Sequence, residues 1–399
     1  MEIPDAYSIN DYRNVDVFKT ETYSKYKKTD VITALQKALI TGNFEESCHW
    51  SMELLISGQV SEVWLKLINV LAKNINISNP YLPAFFYSRY NRFIHINRVY
   101  SEDNTNLEIR NNQMVRNLLA EVITLISLSD KKAINTQHKI TSNDFHIDFF
   151  KSQLVFSDNN IVDDMIKDDD PPEIRLVANE LAFALQTLNY NKCSYWVNWL
   201  FEWEKANSKH SNKFQCAIRE KKYIKPQFCS DFVWIIWDIL FNEVNARPDS
   251  KLLYSQIEAL YEMYCFEFSP TNKRKKMNLI FAACAFLTAK VEWNIPVTKH
   301  YPVVVQAAAN INLIFISFKK LEKTNASTAS FPVHIKTYNN YIIPLEEDVS
   351  INNVANNPVN IMKKKNKKNI TTSPASSDKL NIVTKIQEEL VSGRQYDYV

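Results

Sequence analysis

The scarcity of glycine constrains this chain more than any other feature of its sequence. Its 399 residues include 3 glycines, Gly42, Gly58 and Gly393, where average usage of about 7% would give about 28. The P-loop, the dinucleotide-binding fingerprint and the kinase glycine loop each need several glycines close together, because the bare backbone must approach phosphate. All three are therefore excluded. Folds with many hairpin turns are disfavoured as well, since such turns depend on positive φ angles.

The net charge of +3 is unevenly distributed along the chain. Residues 351–399 contain eight Lys or Arg and four Asp or Glu, which gives this end a charge of +4 and the remainder about −1. The body therefore lacks the charge of a bulk polyanion binder. Any affinity for nucleic acid would have to come from local patches.

The cysteines and the apolar segments predict an intracellular protein that is neither secreted nor inserted in a membrane. The six cysteines are far apart and form no Cys-x-x-Cys pair, which argues against a zinc cage and a disulfide framework. Residues 1–29 lack the apolar core of a signal peptide. The longest apolar run, residues 279–289, is shorter than the roughly 20 residues that cross a bilayer.

Hydrophobic periodicity predicts a mostly α-helical fold made of two related helical halves. Apolar residues recur at helical spacing over residues 30–128, which predicts a first helical domain after a polar N-terminal arm, residues 1–29. Asp30 is expected to cap the first helix, and Gly42 to end it in the left-handed conformation. Asn43 and Glu46 then begin the second helix in a pattern close to a capping box.

The remainder of the chain is predicted to contain one further helical domain between two polar regions. Residues 129–172 form an acidic linker, residues 173–325 the second helical domain, and residues 326–399 a flexible basic tail. Minor β structure is expected in the linker, as a hairpin over residues 145–156. A strand pair near residues 334–343 of the tail is the other candidate, with a plain loop as its alternative.

The second helical domain repeats a sequence pattern of the first. The run Leu39-x-Thr41-x-Asn43-Phe44-x-x-Ser47-x-x-Trp50 aligns with Leu185-x-Thr187-x-Asn189-Tyr190-x-x-Cys193-x-x-Trp196 at an offset of 146. Val63-Trp64-Leu65 aligns with Val233-Trp234-Ile235 at an offset of 170, which indicates an insertion in the second copy at about residues 205–225. Chance agreement between helices of one biased composition is the alternative. The cap asparagines and the paired tryptophans favour duplication.

The sequence predicts neither catalytic nor metal-binding chemistry. His49 and Glu53 are four residues apart on one helix and could form an acid–base pair, but a hydrogen bond on the helix surface is the better interpretation. The acidic run at residues 163–170 could hold a cation, yet it lacks the EF-hand spacing, so a solvated linker is favoured. We therefore expect no catalytic residue, no metal and no cofactor, in a protein that is not an enzyme.

Local clusters of basic residues are the candidate contacts for nucleic acid. They would neutralise phosphates without reading a base sequence. A solvated charged surface is the alternative, as is a run in the tail that resembles a nuclear-import signal. Arg219 lies in the same stretch as the first cluster. The candidate residues are Lys221, Lys222, Lys225, Lys273, Arg274, Lys275, Lys276, Lys363, Lys364, Lys365, Lys367 and Lys368.

Three tryptophans recur on one face of a single helix. Trp196, Trp199 and Trp203 have helical spacing, and an aromatic stripe of this kind is typical of a core rather than of a surface that stacks bases. Trp203 is flanked by Glu202 and Glu204. We therefore predict that Trp203 reaches the surface and contacts a protein partner.

The stretch from Val31 to Gly58, continuing to Asn79-Pro80, resembles an uncharacterised family of nucleocytoplasmic large (giant) DNA viruses. The Asn-, Ile- and Lys-rich composition fits an AT-rich viral genome. The same order of helix, Gly-containing turn, tryptophan helix and helix ending at Asn-Pro is similar, more distantly, to the helical C-terminal domain of MgsA-type clamp-loader-like ATPases. The similarity covers about residues 30–95 and includes no catalytic residue. It implies a partner-docking or self-associating helical collar without the ATPase motor.

These observations predict a non-enzymatic helical scaffold or adaptor of a large DNA virus. It would act through protein–protein contacts in viral genome replication or in the viral factory. A structural virion protein, internal or minor capsid, is the alternative, and a sequence-independent DNA-binding protein is a further alternative. The expected partners are other viral proteins, a second copy of the chain, and non-specific DNA at the basic clusters, with no membrane. The expected location is the host cell cytoplasm or the virion.

Overall fold

The computed structural model describes residues 7–100, 104–155, 161–207, 215–248 and 250–325. These residues form a succession of α-helices joined by short turns, so the predicted all-α fold class is confirmed. In chain order the helices are α1 (Lys28–Thr41), α2 (Phe44–Ile56), α3 (Val60–Val70), α4 (Leu82–Tyr100), α5 (Leu107–Asn111), α6 (Gln113–Leu128), α7 (Ile147–Gln153), α8 (Pro172–Gln186), α9 (Tyr190–Asn207), α10 (Val233–Asn245), α11 (Lys251–Cys265), α12 (Met277–Thr288), α13 (Tyr301–Asn310) and α14 (Asn312–Asn325).

The two predicted helical domains pack together rather than standing apart. Contacts group Met1–Glu322 into one compact unit and assign Lys323–Val399 to another. Within the first unit, α4 of the first half packs against α11 of the second half. The backbone N–H of Ala84 donates to Oε1 of Gln256 across this contact, at 3.0 Å and out of contact with solvent. The described part of the chain therefore has a continuous core that includes both halves.

The two halves share their internal packing. In the first half α1 contacts α2 and α3, and α6 packs on α2 and α4; in the second half α8 contacts α9 and α10, and α12 packs on α9 and α11. The cap side chains also correspond. Oδ1 of Asn43 accepts from the N–H of Glu46 at 3.1 Å, and Oδ1 of Asn189 accepts from the N–H of Lys192 at 3.1 Å. Each asparagine thus satisfies a backbone donor at the start of its helix.

The turn before each cap asparagine contains a residue in the left-handed conformation. Gly42 follows α1 with φ 82°, as predicted, and Leu188 occupies the equivalent position after α8 with φ 55°. A left-handed residue lets the chain reverse and bond back to the end of the helix. Glycine adopts this conformation at little cost, whereas leucine is strained there.

The predicted N-terminal arm is packed against the first half. Ile9, Phe18 and Tyr23 are buried, and the N–H of Tyr23 donates to Oγ of Ser57 at 2.8 Å. Helix α1 begins at Lys28 with no side-chain cap, so the prediction that Asp30 caps it is wrong. The turns before Lys28 already hold the backbone in place, and Asp30 lies within the first helical turn.

The predicted hairpin over residues 145–156 is wrong, because these residues contain helix α7. Asp144 closes a capping box with Thr141, whose N–H and Oγ1 donate to its carboxylate at 2.8 and 2.7 Å. Phe145 and Phe150 then both pack on the ring of Trp199, at 5.3 and 5.2 Å between centroids. A helical turn brings both rings to one indole, whereas strand alternation would place them on opposite faces. The predicted tail strands lie outside the described residues.

Candidate functional site

A groove of about 700 Å³ opens between α3, α4 and the C-terminal end of α11. Its aromatic wall centres on Trp64, whose ring lies 5.1 Å from Tyr90 and 5.2 Å from Phe93 between centroids. Phe266, just after α11, meets Tyr90 edge-on at 5.1 Å. The groove therefore presents aromatic side chains that two helices of the first half and one of the second bring together.

The indole of Trp64 has an unused hydrogen-bond donor. Trp64 is 1% exposed, and its Nε1 has no partner among the described residues. An unpaired buried donor costs about 1–3 kcal/mol relative to a paired one. The wall of the groove thus includes a residue whose buried polar group has no partner among the described residues.

The rim of the groove contains exposed polar side chains and exposed charges of both signs, including Glu267. Arg98 of α4 and Lys275 lie on it, and both are exposed. Tyr223 is 76% exposed and has a positive φ of 69°, and the ammonium of Lys222 lies 4.7 Å from its ring centroid. The insertion predicted from the repeat therefore supplies one edge of this groove.

Lys276 lies in the wall of the groove and is 7% exposed. Its ammonium donates to the backbone carbonyl of Phe266. Burial lowers the pKa of Lys276 to about 8, although the carboxylate of Glu267 favours the charged form. The side chain is thus buried and bonded to backbone, and its role as a nucleic-acid contact stays a prediction.

Lys273 and Arg274 hold α9 to the turn before α12. Lys273 is 2% exposed, and its ammonium is paired with Glu204 and with Asp231, the latter at 2.7 Å. Arg274 bonds Glu202 at 2.8 Å and the backbone carbonyl of Phe201. A nucleic acid would reach the ammonium of Lys273 only by breaking a buried pair, and the role of Lys273 and Arg274 as nucleic-acid contacts stays a prediction.

The remaining candidate cations differ in exposure. Lys221 is partly buried and paired with Asp238. Lys222, Lys225 and Lys275 are exposed, and their role as nucleic-acid contacts stays a prediction. The tail candidates Lys363, Lys364, Lys365, Lys367 and Lys368 lie outside the described residues.

Trp203 is partly exposed at the end of the tryptophan stripe. Its ring stacks on Trp199 at 5.5 Å with 20° between the planes, and Trp196 and Trp199 are buried, as expected for a core stripe. A role for Trp203 in partner contact stays a prediction.

His49 and Glu53 are both engaged in packing. Glu53 is fully buried, and its carboxylate accepts from the N–H and Oγ of Ser24 at 2.8 and 2.7 Å. Burial lowers the pKa of His49 to about 4, and its ring stacks on Phe318 at 6.3 Å. These contacts hold the N-terminal arm and α14 against α2.

Two acids of the predicted linker and two thiols of the helical body have structural roles. Asp163 pairs with Arg175 at 2.8 Å, and the last acid of the run, Asp170, is buried against Arg219. Burial raises the pKa of Cys48 and of Cys265 to about 12, which keeps both thiols protonated. Among the described residues no group of His, Cys, Asp and Glu has an arrangement that could hold a metal.

One helical stretch, Tyr301–Glu322, is long and apolar enough to cross a membrane by length and composition alone. Its most apolar window has a mean hydropathy of 1.5 and is 22% buried. The stretch comprises α13 and most of α14, and Val304, Ile311, Phe315 and Phe318 lie on its buried side. Polar residues interrupt this stretch, so the longest uninterrupted apolar run of the sequence lies elsewhere, at residues 279–289. The absence of a membrane partner stays a prediction.

A comparison of the chain with protein families, with curated proteins and with solved structures found no match. The groove itself was missed by sequence reasoning, which assigned Trp64 only to a helix face. The available signal was the alignment of Trp64 with Trp234 together with an insertion present in one copy alone. That combination indicates that the two indoles have different surroundings.

Proposed function

We propose that this protein is a non-enzymatic helical adaptor that binds a segment of a partner protein in the groove between α3, α4 and α11. The observation that carries the proposal is the chemistry of this groove: aromatic side chains at its centre and exposed charged side chains on its rim. Aromatic residues supply most of the binding energy at the centres of protein interfaces, while polar and charged residues occupy their edges.

The packing of the cations supports a protein partner over a polyanion. Lys273 and Lys276, two members of one predicted phosphate-binding cluster, are buried in the helical body. Their neighbour Arg274 is bonded to Glu202 and to backbone. Few exposed cations remain near the groove, so the electrostatic contribution to nucleic-acid binding there is small. The viral setting, in replication, in the factory or in the virion, stays a prediction.

Isolation of the full chain with its bound proteins, from the cells that make it, tests the proposal. We expect a stoichiometric protein partner that survives nuclease treatment. Asn91 of α4 lines the groove and is partly exposed, so Asn91→Trp fills the groove and should reduce recovery of the partner at least about tenfold. Asn117→Trp places the same ring on an exposed site of α6, outside the groove, and should retain the partner. Recovery of nucleic acid alone, or equal recovery with both variants, would contradict the proposal.

A further inference from the structure

The second half contains a covered counterpart of the groove. Trp64 on α3 and Trp234 on α10 occupy equivalent positions of the repeat. Nε1 of Trp234 donates to the backbone carbonyl of Phe228 at 2.7 Å. Phe268 packs on Trp234 at 4.6 Å between centroids, and Phe228 lies 6.0 Å from Phe268. One short segment of the chain therefore supplies an acceptor to the second indole and an aromatic ring to Phe268, which packs on that indole.

The corresponding connection in the first half is much shorter. Residues 57–59 alone separate α2 from α3, whereas residues 208–232 separate α9 from α10. The covering residues, a short helical turn at Pro226–Phe228, belong to the longer connection. Trp64 is accordingly left with an unpaired Nε1 beside an open groove, while Trp234 is paired and covered.

An unpaired indole by itself does not mark a binding site. Nε1 of Trp196 and Nε1 of Trp237 are also buried without a partner, but neither residue lines the groove. Trp64 differs because three observations coincide: the unpaired donor, the open groove and a covered equivalent in the same chain. The equivalent residue, Trp234, indicates that a main-chain carbonyl fits the indole N–H at this position of the repeat.

We propose that the groove binds an extended segment of a partner protein that packs one aromatic side chain on the aromatic wall around Trp64 and presents a main-chain carbonyl to its Nε1. This inference rests on the adaptor function proposed above and specifies its ligand. The bound segment reproduces what Pro226–Phe228 does for Trp234. The rim beside the bound segment contains exposed charges of both signs, Arg98, Lys275 and Glu267.

Titration of the full chain with a synthetic peptide tests the inference. The peptide copies residues 225–232 with Cys229→Ser, and so contains the covering aromatic residue and a nearby acid. Labelling with ¹⁵N-tryptophan gives eight indole N–H signals to follow by NMR. The signal of Trp64, assigned with Trp64→Phe, should move downfield as its new hydrogen bond forms. The signals of Trp196 and Trp234 should stay in place, and the dissociation constant should lie between about 0.1 and 1 mM.

Two variants and one altered peptide separate the contribution of the indole hydrogen bond from that of the peptide's aromatic ring. Trp64→Phe keeps an aromatic ring but removes the donor, and should weaken binding about fivefold, measured by the fluorescence anisotropy of a labelled peptide. Trp196→Phe removes an equally buried, equally unpaired donor outside the groove and should leave the affinity unchanged. The peptide with Phe228→Ala should bind at least about tenfold more weakly, because it lacks the inserted ring.

Several results would overturn the inference. One is a Trp64 signal that does not move at about 1 mM peptide. Another is equal affinity of the parent and Trp64→Phe for the peptide. A third is a peptide that moves the signal of Trp234 and not that of Trp64. A thymidine oligonucleotide that moves the Trp64 signal while the peptide does not would assign the groove to nucleic acid. If the peptide does not bind but Asn91→Trp still loses the natural partner, the result supports the adaptor function and contradicts this description of its ligand.

Discussion

The two halves of the molecule agree in their turns and differ around their equivalent tryptophans. Asn43 and Asn189 cap equivalent helices through the same hydrogen bond, at 3.1 Å in both halves. Trp64 and Trp234 are equally buried, yet one lines an open groove with its Nε1 unpaired and the other donates to the carbonyl of Phe228. The shared features are those that each half needs to fold. The differences lie where segments outside the repeat pack on it.

Each half is fastened to such a segment by a buried arginine–aspartate pair. In the first half Arg110 binds Asp11 of the N-terminal arm at 2.7 Å. In the second half Arg219, in the insertion, binds Asp170 of the predicted linker at 2.9 Å. Burial alone would raise the pKa of Asp170, but the hydrogen bonds from Arg219 and from backbone N–H groups lower it below its usual value. The predicted arm and linker are thus integral parts of the fold.

Breaking these pairs should have the largest effect on stability. Arg110→Met and Arg219→Met each remove the buried arginine from a buried carboxylate, and each should lower the free energy of unfolding by about 3–5 kcal/mol. Urea unfolding measures both. Arg13 also binds Asp11, but its side chain is exposed, so Arg13→Met should cost less than about 1 kcal/mol. Equal losses for Arg13→Met and Arg110→Met would show that burial of the pair does not matter.

The arm should also make one of two similar glycines much harder to replace. Gly42 and Gly58 both have positive φ, at 82° and 68°. A Cβ at Gly58 would lie 2.4 Å from Cγ1 of Val15, whereas at Gly42 its nearest neighbour is a backbone oxygen at 3.4 Å. We expect Gly58→Ala to cost about 2–3 kcal/mol of unfolding free energy and Gly42→Ala about 1 kcal/mol. Thermal and urea unfolding of both variants measure the difference.

A second substitution isolates the clash. Val15→Ala removes the methyl that the new Cβ would meet, so it should recover part of the loss in Gly58→Ala while giving no benefit to Gly42→Ala. Independent, additive effects of Val15→Ala and Gly58→Ala would contradict the packing of the arm on this turn.

A histidine makes the first half sensitive to acid where the second half has a tyrosine. His49 and Tyr195 are equivalent in the repeat, and burial lowers the pKa of His49 to about 4. The unfolded histidine has a pKa of about 6.5, so the unfolded chain binds the proton first. The contribution of neutral His49 to stability is therefore complete above about pH 6.5 and is lost as the pH falls toward 4.

Unfolding free energies measured between pH 7 and 4.5 check this expectation. The parent should lose about 2–2.5 kcal/mol through His49 over this range, and His49→Gln should lose correspondingly less. Parallel pH curves for the parent and His49→Gln would show that the imidazole is not held neutral.

The smallest expected effect is a gain in stability at the strained turn of the second half. Leu188 has φ 55° where the first half has Gly42, and its side chain is 57% exposed. Leu188→Gly relieves the left-handed strain and loses little burial, so it should raise the free energy of unfolding by about 0.5–1 kcal/mol. Leu188→Asn should give a smaller gain, since asparagine tolerates this conformation less well than glycine. A loss of stability in Leu188→Gly would mean that the leucine side chain stabilises the turn more than the strain costs.

Local signals in the sequence predicted the helices and their turns, but not the packing around them. Gly42 and Asn43 act within a few residues, so their roles follow from the sequence alone. The docking of the arm depends on Arg110 and Asp11, which are distant in sequence and have no periodic pattern to join them. The burial of Lys273 was missed for the same reason, because its partners Glu204 and Asp231 are remote along the chain. The groove combines residues from three helices and a loop, which a sequence pattern does not bring together.

The contrast between Trp64 and Trp234 can be measured directly by hydrogen exchange of the indole N–H groups in the free protein. Trp234 donates to Phe228, while Trp64 lines an open groove without a partner. We therefore predict that the indole proton of Trp64 exchanges at least about tenfold faster than that of Trp234, as the loss of one hydrogen bond implies. It should also exchange faster than the proton of Trp196, which is unpaired but does not line the groove. Equal protection of Trp64 and Trp234 would contradict the account.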